Sequence, residues 1–134
     1  MTDTAFALQM DPPLPGFEEI TSYTLTPVPD NPCFAWLEAK DGPQFLLARP
    51  ECFFSGYLQQ VKAYLPSNFT TTEKSPCVYV IITLADKIQD MTANLLAPLL
   101  VDTAAKRAGQ HILYDSNFTT RQYLFPPEKR RQCG

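Results

Sequence analysis

Histidine occurs once in this chain, as His111 in the segment QHILYD, and cysteine four times, at positions 33, 52, 77 and 133. These side chains could serve as base, nucleophile or metal ligand near neutral pH. A catalytic histidine needs a nucleophile and an orienting acid within hydrogen-bond reach. His111 instead alternates with Ile112 on opposite faces, which reads as a structural strand position. No C-x-x-C pair occurs, so a Cys/His zinc site would have to be assembled from scattered ligands. G-x-x-x-x-G-K-[ST], G-x-G-x-x-G and G-x-S-x-G are all absent. Glu18 and Glu19 are adjacent and read as solvated turn surface rather than an acid/base pair across a cleft. The expectation is a protein that is not an enzyme and holds no metal and no cofactor.

Phe53-Phe54 invites a second chemistry, the stacking platform of a single-strand nucleic-acid binder. Such a platform needs basic neighbours, and few lie nearby, so core packing is the better reading. Charge argues the same way. The net charge is −3, but residues 126–134 (PPEKRRQCG) hold three basic side chains and one acidic. That leaves 8 basic and 13 acidic side chains, net −5, on residues 1–125. An acidic body repels phosphates and steers basic proteins towards itself. No direct nucleic-acid contact is therefore expected, and the basic tail reads as a disordered end. The N-terminal MTDTAFALQMDPPLPG lacks a basic start and a continuous apolar stretch, and no apolar run approaches the roughly 18 residues of a membrane span. The chain reads as cytoplasmic, with free thiols.

The elements that must carry these residues are short. Thirteen prolines against five glycines disfavour long helices. FALQM (6–10), ITSYTLTPV (20–28), CFAWLEA (33–39), QFLLAR (44–49) and CVYVIITL (77–84) read as strands, the last at the sheet centre. KDGP (40–43) joins the third and fourth as a hairpin. In LPGF, Gly16 can adopt the positive φ of a turn. Tyr57, Val61, Tyr64 and Leu65 recur at helical spacing before Pro66, which predicts a short helix over 57–65. ADKIQD (85–90) is a loop or one helical turn.

TANLLAPLLVD (92–102) is apolar apart from Asn94 up to Asp102. Pro98 would break a helix here, so the stretch is expected to be a strand with Pro98 at a bulge, bend or edge. AKRAG (105–109) then reads as a turn and QHILYD (110–115) as the return strand. A buried Asn94 amide must find partners, most simply the backbone of a neighbouring loop. The two SNFTT segments, 67–71 and 116–120, read as turn-and-strand sequence rather than a repeat. The sum is a mainly β, antiparallel, partly open and meander-like barrel with one or two short helices. One domain over 1–125 and a tail over 126–134 complete the plan.

Four segments resemble the flagellar assembly factor FliW family. LPGFEE (14–19) resembles its N-terminal turn, and FAWLEA (34–39) with QFLLARPECFFSGY (44–57) resembles its paired strands and P-x-x-FF-P-D-Y stretch. TANLLAPLLVD resembles its most specific segment, T-A-N-L-x-A-P-I-x-x-N, and GQHILYDSNFTTRQYLF (109–125) its closing strand. Ser55-Gly56, Leu58 and Tyr123 depart from the pattern. The resemblance implies a monomeric cytoplasmic binding protein that takes up newly made flagellin. It also implies a second partner, the translational regulator CsrA, exchanged for flagellin. For that function the expected partner contacts are an apolar patch at Phe54 and Tyr57, the acidic Asp90 and Asp102, and the polar Asn94. The plainer roles of these five are core, solvated loop ends and loop pin.

Overall fold

The computed structural model describes residues 5–62, 77–114 and 116–125. The nine strands are β1 (Phe6–Met10), β2 (Ser22–Pro27), β3 (Phe34–Glu38), β4 (Gln44–Ala48), β5 (Cys77–Thr83), β6 (Thr92–Ala93), β7 (Leu99–Asp102), β8 (Arg107–Gln110) and β9 (Gln122–Tyr123). One helix, α1 (Tyr57–Lys62), and two 3-10 turns, Pro50–Cys52 and Ile88–Asp90, accompany them among the described residues. The helix begins where the sequence places it. Its expected continuation over 63–65, the first SNFTT segment and the tail at 126–134 lie outside the described residues.

The strands β4-β3-β2-β1-β8-β7-β5 lie in that order, and β5 also pairs with β4, so seven strands close into a barrel. Mainly β architecture with short helices is what the sequence predicts. Two details differ. The barrel is closed rather than partly open, and it is mixed, because β1 and β8 run parallel through Gln9↔Arg107 and Met10↔Ala108. A parallel pair joins segments far apart in sequence, so no hairpin signal announces it.

The barrel interior follows from period-2 alternation. Leu8 and Met10 from β1, Tyr23 and Leu25 from β2, Ala35 and Leu37 from β3, Leu47 from β4, Tyr79 from β5, Leu99 and Val101 from β7 and Ala108 from β8 point inward. Leu14 in the turn after β1 joins them. Gly16 adopts φ +85° there, as the turn reading requires, and Phe17 N donates to Leu14 O at 2.9 Å. The Asp11–Pro12 peptide before it is cis. The Tyr23 hydroxyl is buried with no hydrogen-bond partner among the described residues.

The turn after β7 starts earlier than the sequence suggests. The Asp102 carboxylate accepts from Ala104 N and Ala105 N, each at 3.1 Å, which closes the turn over 103–106. β8 therefore occupies 107–110, and among the described residues of QHILYD only Gln110 is in a strand. Gly109 misleads a sequence reading because it is not a turn residue. A Cβ there would stand 2.7 Å from Asp11 O, so glycine is what lets β1 cross close to β8.

The thiol expectation is also corrected. Cys33 and Cys52 form a disulfide, with Cα atoms 6.0 Å apart. They are 19 positions apart in sequence. The β3–β4 hairpin folds them together, with Phe34 opposite Ala48 and Arg49 N donating to Cys33 O at 2.8 Å. Cys77 is the free cysteine among the described residues.

Candidate functional site

The segment 92–102 is two strands, not one. Both β6 and β7 run antiparallel to β5, through Ile82↔Ala93 and Tyr79↔Leu99. Between those pairs β5 advances by Val80 and Ile81, while the opposing chain spends Asn94 to Pro98. The surplus leaves the sheet as a loop on the outside of the barrel. This is a larger excursion than the single bulge the proline suggests.

A loop that leaves a sheet must satisfy its backbone elsewhere. Asn94 does this first: its side-chain oxygen accepts from Ala97 N at 3.0 Å while its own N–H donates to Ile81 O at 3.0 Å. Leu95 N and Leu96 N both donate to Thr119 O, at 2.9 and 3.2 Å. The carbonyls from 95 to 98 accept in turn from the Tyr57 hydroxyl at 2.6 Å, Leu113 N at 2.8 Å, Gln110 Nε2 at 3.0 Å and His111 N at 3.0 Å. Pro98 has no N–H to satisfy. Helix α1 and two later stretches, 110–113 and 116–119, are thus pinned to one loop.

Under the loop lies a second core. Strands β4 and β5 are apolar on both faces, and their outward residues Ala48, Val80 and Ile82 pack with Tyr57, Val61, Met91, Ala93, Leu95, Leu113 and Leu124. Its rim is aromatic. The Phe118 ring meets Tyr57 edge-on at 4.8 Å, and Phe53 touches Phe34 at 5.6 Å, Phe54 at 6.3 Å and Phe125 at 6.1 Å. Tyr57 is only 2% exposed, and burial drives its hydroxyl far above the ordinary tyrosine range. It is a permanent donor.

The five predicted contact residues do not converge. Tyr57 is a buried pillar, so it cannot be part of a surface patch; its hydroxyl is used internally, on Leu95 O. Asn94 is a backbone pin, but of its own loop rather than the neighbouring loop expected from the sequence. Phe54 is half-buried on the lateral core and lines a shallow depression of about 370 Å³ with Ser55, Gly56 and Leu58. Those last three are among the positions that depart from the family pattern. Asp90 ends the 3-10 turn before β6, and Asp102 caps the turn after β7. They lie at opposite ends of β5, since Thr83 pairs with Thr92 and Cys77 with Val101, so they form no single acidic face. Phe53 and Phe54 pack as core, in keeping with the charge argument. Burial lowers the His111 pKa from its ordinary value.

The sequence reading missed a cluster of exposed apolar side chains at one end of the sheet. Leu84 (58% exposed) follows β5, Ile88 (67%) sits in the 3-10 turn before β6, and Tyr123 (43%) lies on β9 opposite Thr92. Leu84 shares the parity of Val80 and Ile82 but lies one residue past the end of β5. The signal that could have found it is the charged ADK that follows, which ends the strand.

The FliW protein family model matches residues 1–124. The chain belongs to the FliW family. The flagellar assembly factor FliW of Moorella thermoacetica is 34% identical over 116 residues, covering 84% of this chain and 73% of that protein. The Geobacillus kaustophilus factor is likewise 34% identical, over 84% of this chain and 80% of its own. A crystal structure of the flagellar assembly factor FliW superposes with a TM-score of 0.72 at 29% identity, covering 90% of this chain and 86% of that one. The FliW family is named for flagellar assembly, which is the role this membership supports. Among the described residues, no helix is long and apolar enough to cross a membrane.

Proposed function

We propose that this chain is a cytoplasmic flagellar assembly factor that binds flagellin and, when not so occupied, antagonises CsrA. Family membership across residues 1–124 is the observation that carries this reading. Two features of the molecule support it. Residues 1–125 carry net −5, which favours a basic regulator as partner and opposes binding to its RNA. The cluster of Leu84, Ile88 and Tyr123 gives an apolar strip for an amphipathic helix of flagellin, with Asp90 close by in the chain and Phe54 at the rim of the lateral core. Tyr57 and Asn94 act beneath, holding the loop that shapes the surface. The protein acts as a monomer that exchanges one partner for the other, without catalysis or cofactor.

The test is capture of purified flagellin by the tagged, folded chain, followed by addition of CsrA. Flagellin should bind and lower the amount of CsrA retained. Ile88→Asp should reduce flagellin capture at least about tenfold, as loss of a central apolar anchor does, with the melting temperature unchanged. No capture of flagellin by the folded wild type would refute the proposal.

A further inference from the structure

Cys33 and Cys52 each precede a phenylalanine, and those two rings, Phe34 and Phe53, touch at 5.6 Å. The disulfide and the ring pair therefore join neighbouring positions of the same two segments. Phe53 carries the contact onward to Phe54 and to Phe125 near the end of the described chain. The bond is thus one residue away from the aromatic corner that closes the lateral core. Its two residues differ in environment: Cys52 is exposed, at the end of the Pro50–Cys52 turn, and Cys33 is half-buried. An exposed disulfide is the labile kind, and the accessible sulfur is the one a thiolate reaches. Backbone hydrogen bonds hold the two positions together independently of the bond. Arg49 N donates to Cys33 O at 2.8 Å, Cys52 N to Arg49 O at 3.1 Å, and Phe53 N to Pro50 O at 3.0 Å. A Cα separation of 6.0 Å suits re-closure.

We propose that Cys52 is a site of reversible thiol–disulfide exchange and that the Cys33–Cys52 bond is a redox clamp on the aromatic corner. A low-molecular-weight thiolate attacks Sγ of Cys52. The sulfur–sulfur bond breaks, a mixed disulfide forms on Cys52, and Cys33 leaves as the thiolate. A second thiolate then attacks the external sulfur of the mixed disulfide. It releases Cys52 as a thiolate and carries the external group away as a symmetrical disulfide. The same small disulfide, acting as oxidant, runs both steps backwards. In a reducing compartment the dithiol is the resting form and the clamp closes under oxidation. What changes is the hold on Phe53 and Phe125, and with it the lateral core, while the interior of the barrel keeps its packing.

The test treats the oxidised full-length chain with glutathione, traps free thiols with excess N-ethylmaleimide at neutral pH, and maps adducts by mass spectrometry. The melting temperature of the fully oxidised and fully reduced forms is measured alongside. The expected intermediate carries glutathione on Cys52 and the alkyl group on Cys33. Reduction should lower the melting temperature by about 3–8 °C, the scale for opening a short covalent loop in a domain of this size. The double variant Cys77→Ser, Cys133→Ser should show the same adduct and the same shift, which assigns both to this pair. Adducts chiefly on Cys33, or a melting temperature that does not move on reduction, would overturn the proposal.

Discussion

Leu95 and Leu99 are one helical turn apart in the numbering and belong to different cores. Leu99 is fully buried inside the barrel, where β7 is bonded on both sides, to β5 and to β8. Leu95 sits in the lateral core, in a loop whose backbone bonds go to several separate segments of the chain. The interior is enclosed by ladders, in which each bond is backed by its neighbours. The lateral core is enclosed by isolated bonds: the Tyr57 hydroxyl, Gln110 Nε2 and Leu113 N donate to the loop, and Thr119 O accepts from it. The barrel should therefore open only in global unfolding, and the lateral core at lower cost. The side proposed above to face a partner is built on the weaker of the two.

The sharpest way to break that comparison is to make the same cut in both cores. Leu99→Ala should cost about 2–5 kcal/mol, since a closed barrel cannot collapse onto the hole. Leu95→Ala should fall near about 2 kcal/mol, because the loop can settle inward. Urea unfolding of both variants checks this, and equal losses would mean the lateral core is as rigid as the barrel. Gly109→Ala comes next. Its methyl group would meet Asp11 O at 2.7 Å, so β1 and β8 must part, at about 1–3 kcal/mol. A neutral result would show that the parallel pair is slack.

Tyr57→Phe removes one hydroxyl and leaves the Leu95 carbonyl without its donor. The expected loss is about 1–2 kcal/mol. It should appear as faster amide exchange at 95–97 with exchange in β7 unchanged. The smallest effect concerns His111, whose pKa burial lowers. As pH falls below the ordinary histidine value, the unfolded chain takes up a proton that the folded one resists. Stability contributed by neutral His111 is thus full above about pH 6.5 and drains away as pH falls towards the lowered folded value. His111→Gln should flatten that slope in acid unfolding curves between pH 7 and about 5.

Much of the barrel is legible in the sequence because it is local. Alternation marks β1 and β3, β-branched and aromatic composition marks β2 and β5, Lys40 to Pro43 marks the hairpin that returns as β4, and Gly16 marks a turn that does take positive φ. What is not legible depends on distant contacts. The parallel β1–β8 pair has no local signal, and Gly109 looks like a turn residue until the strand that crosses it is known. Cys33 and Cys52 read as separate thiols until the hairpin brings them together. The candidate site fares worse for the same reason. Tyr57 and Phe54 are apolar residues at a plausible place, but sequence cannot say which faces the loop and which the solvent. Asn94 is the exception, since an amide amid an apolar run predicts a loop pin on chemistry alone.

Native-state hydrogen exchange in rising, sub-denaturing urea tests the two-core account most directly. Amides of β2, β7 and β8 should converge on one opening free energy equal to that of global unfolding. Amides of residues 95–97, 113 and 124 should open through a separate event, with weaker urea dependence and a lower free energy. A single opening event shared by both sets would contradict the account.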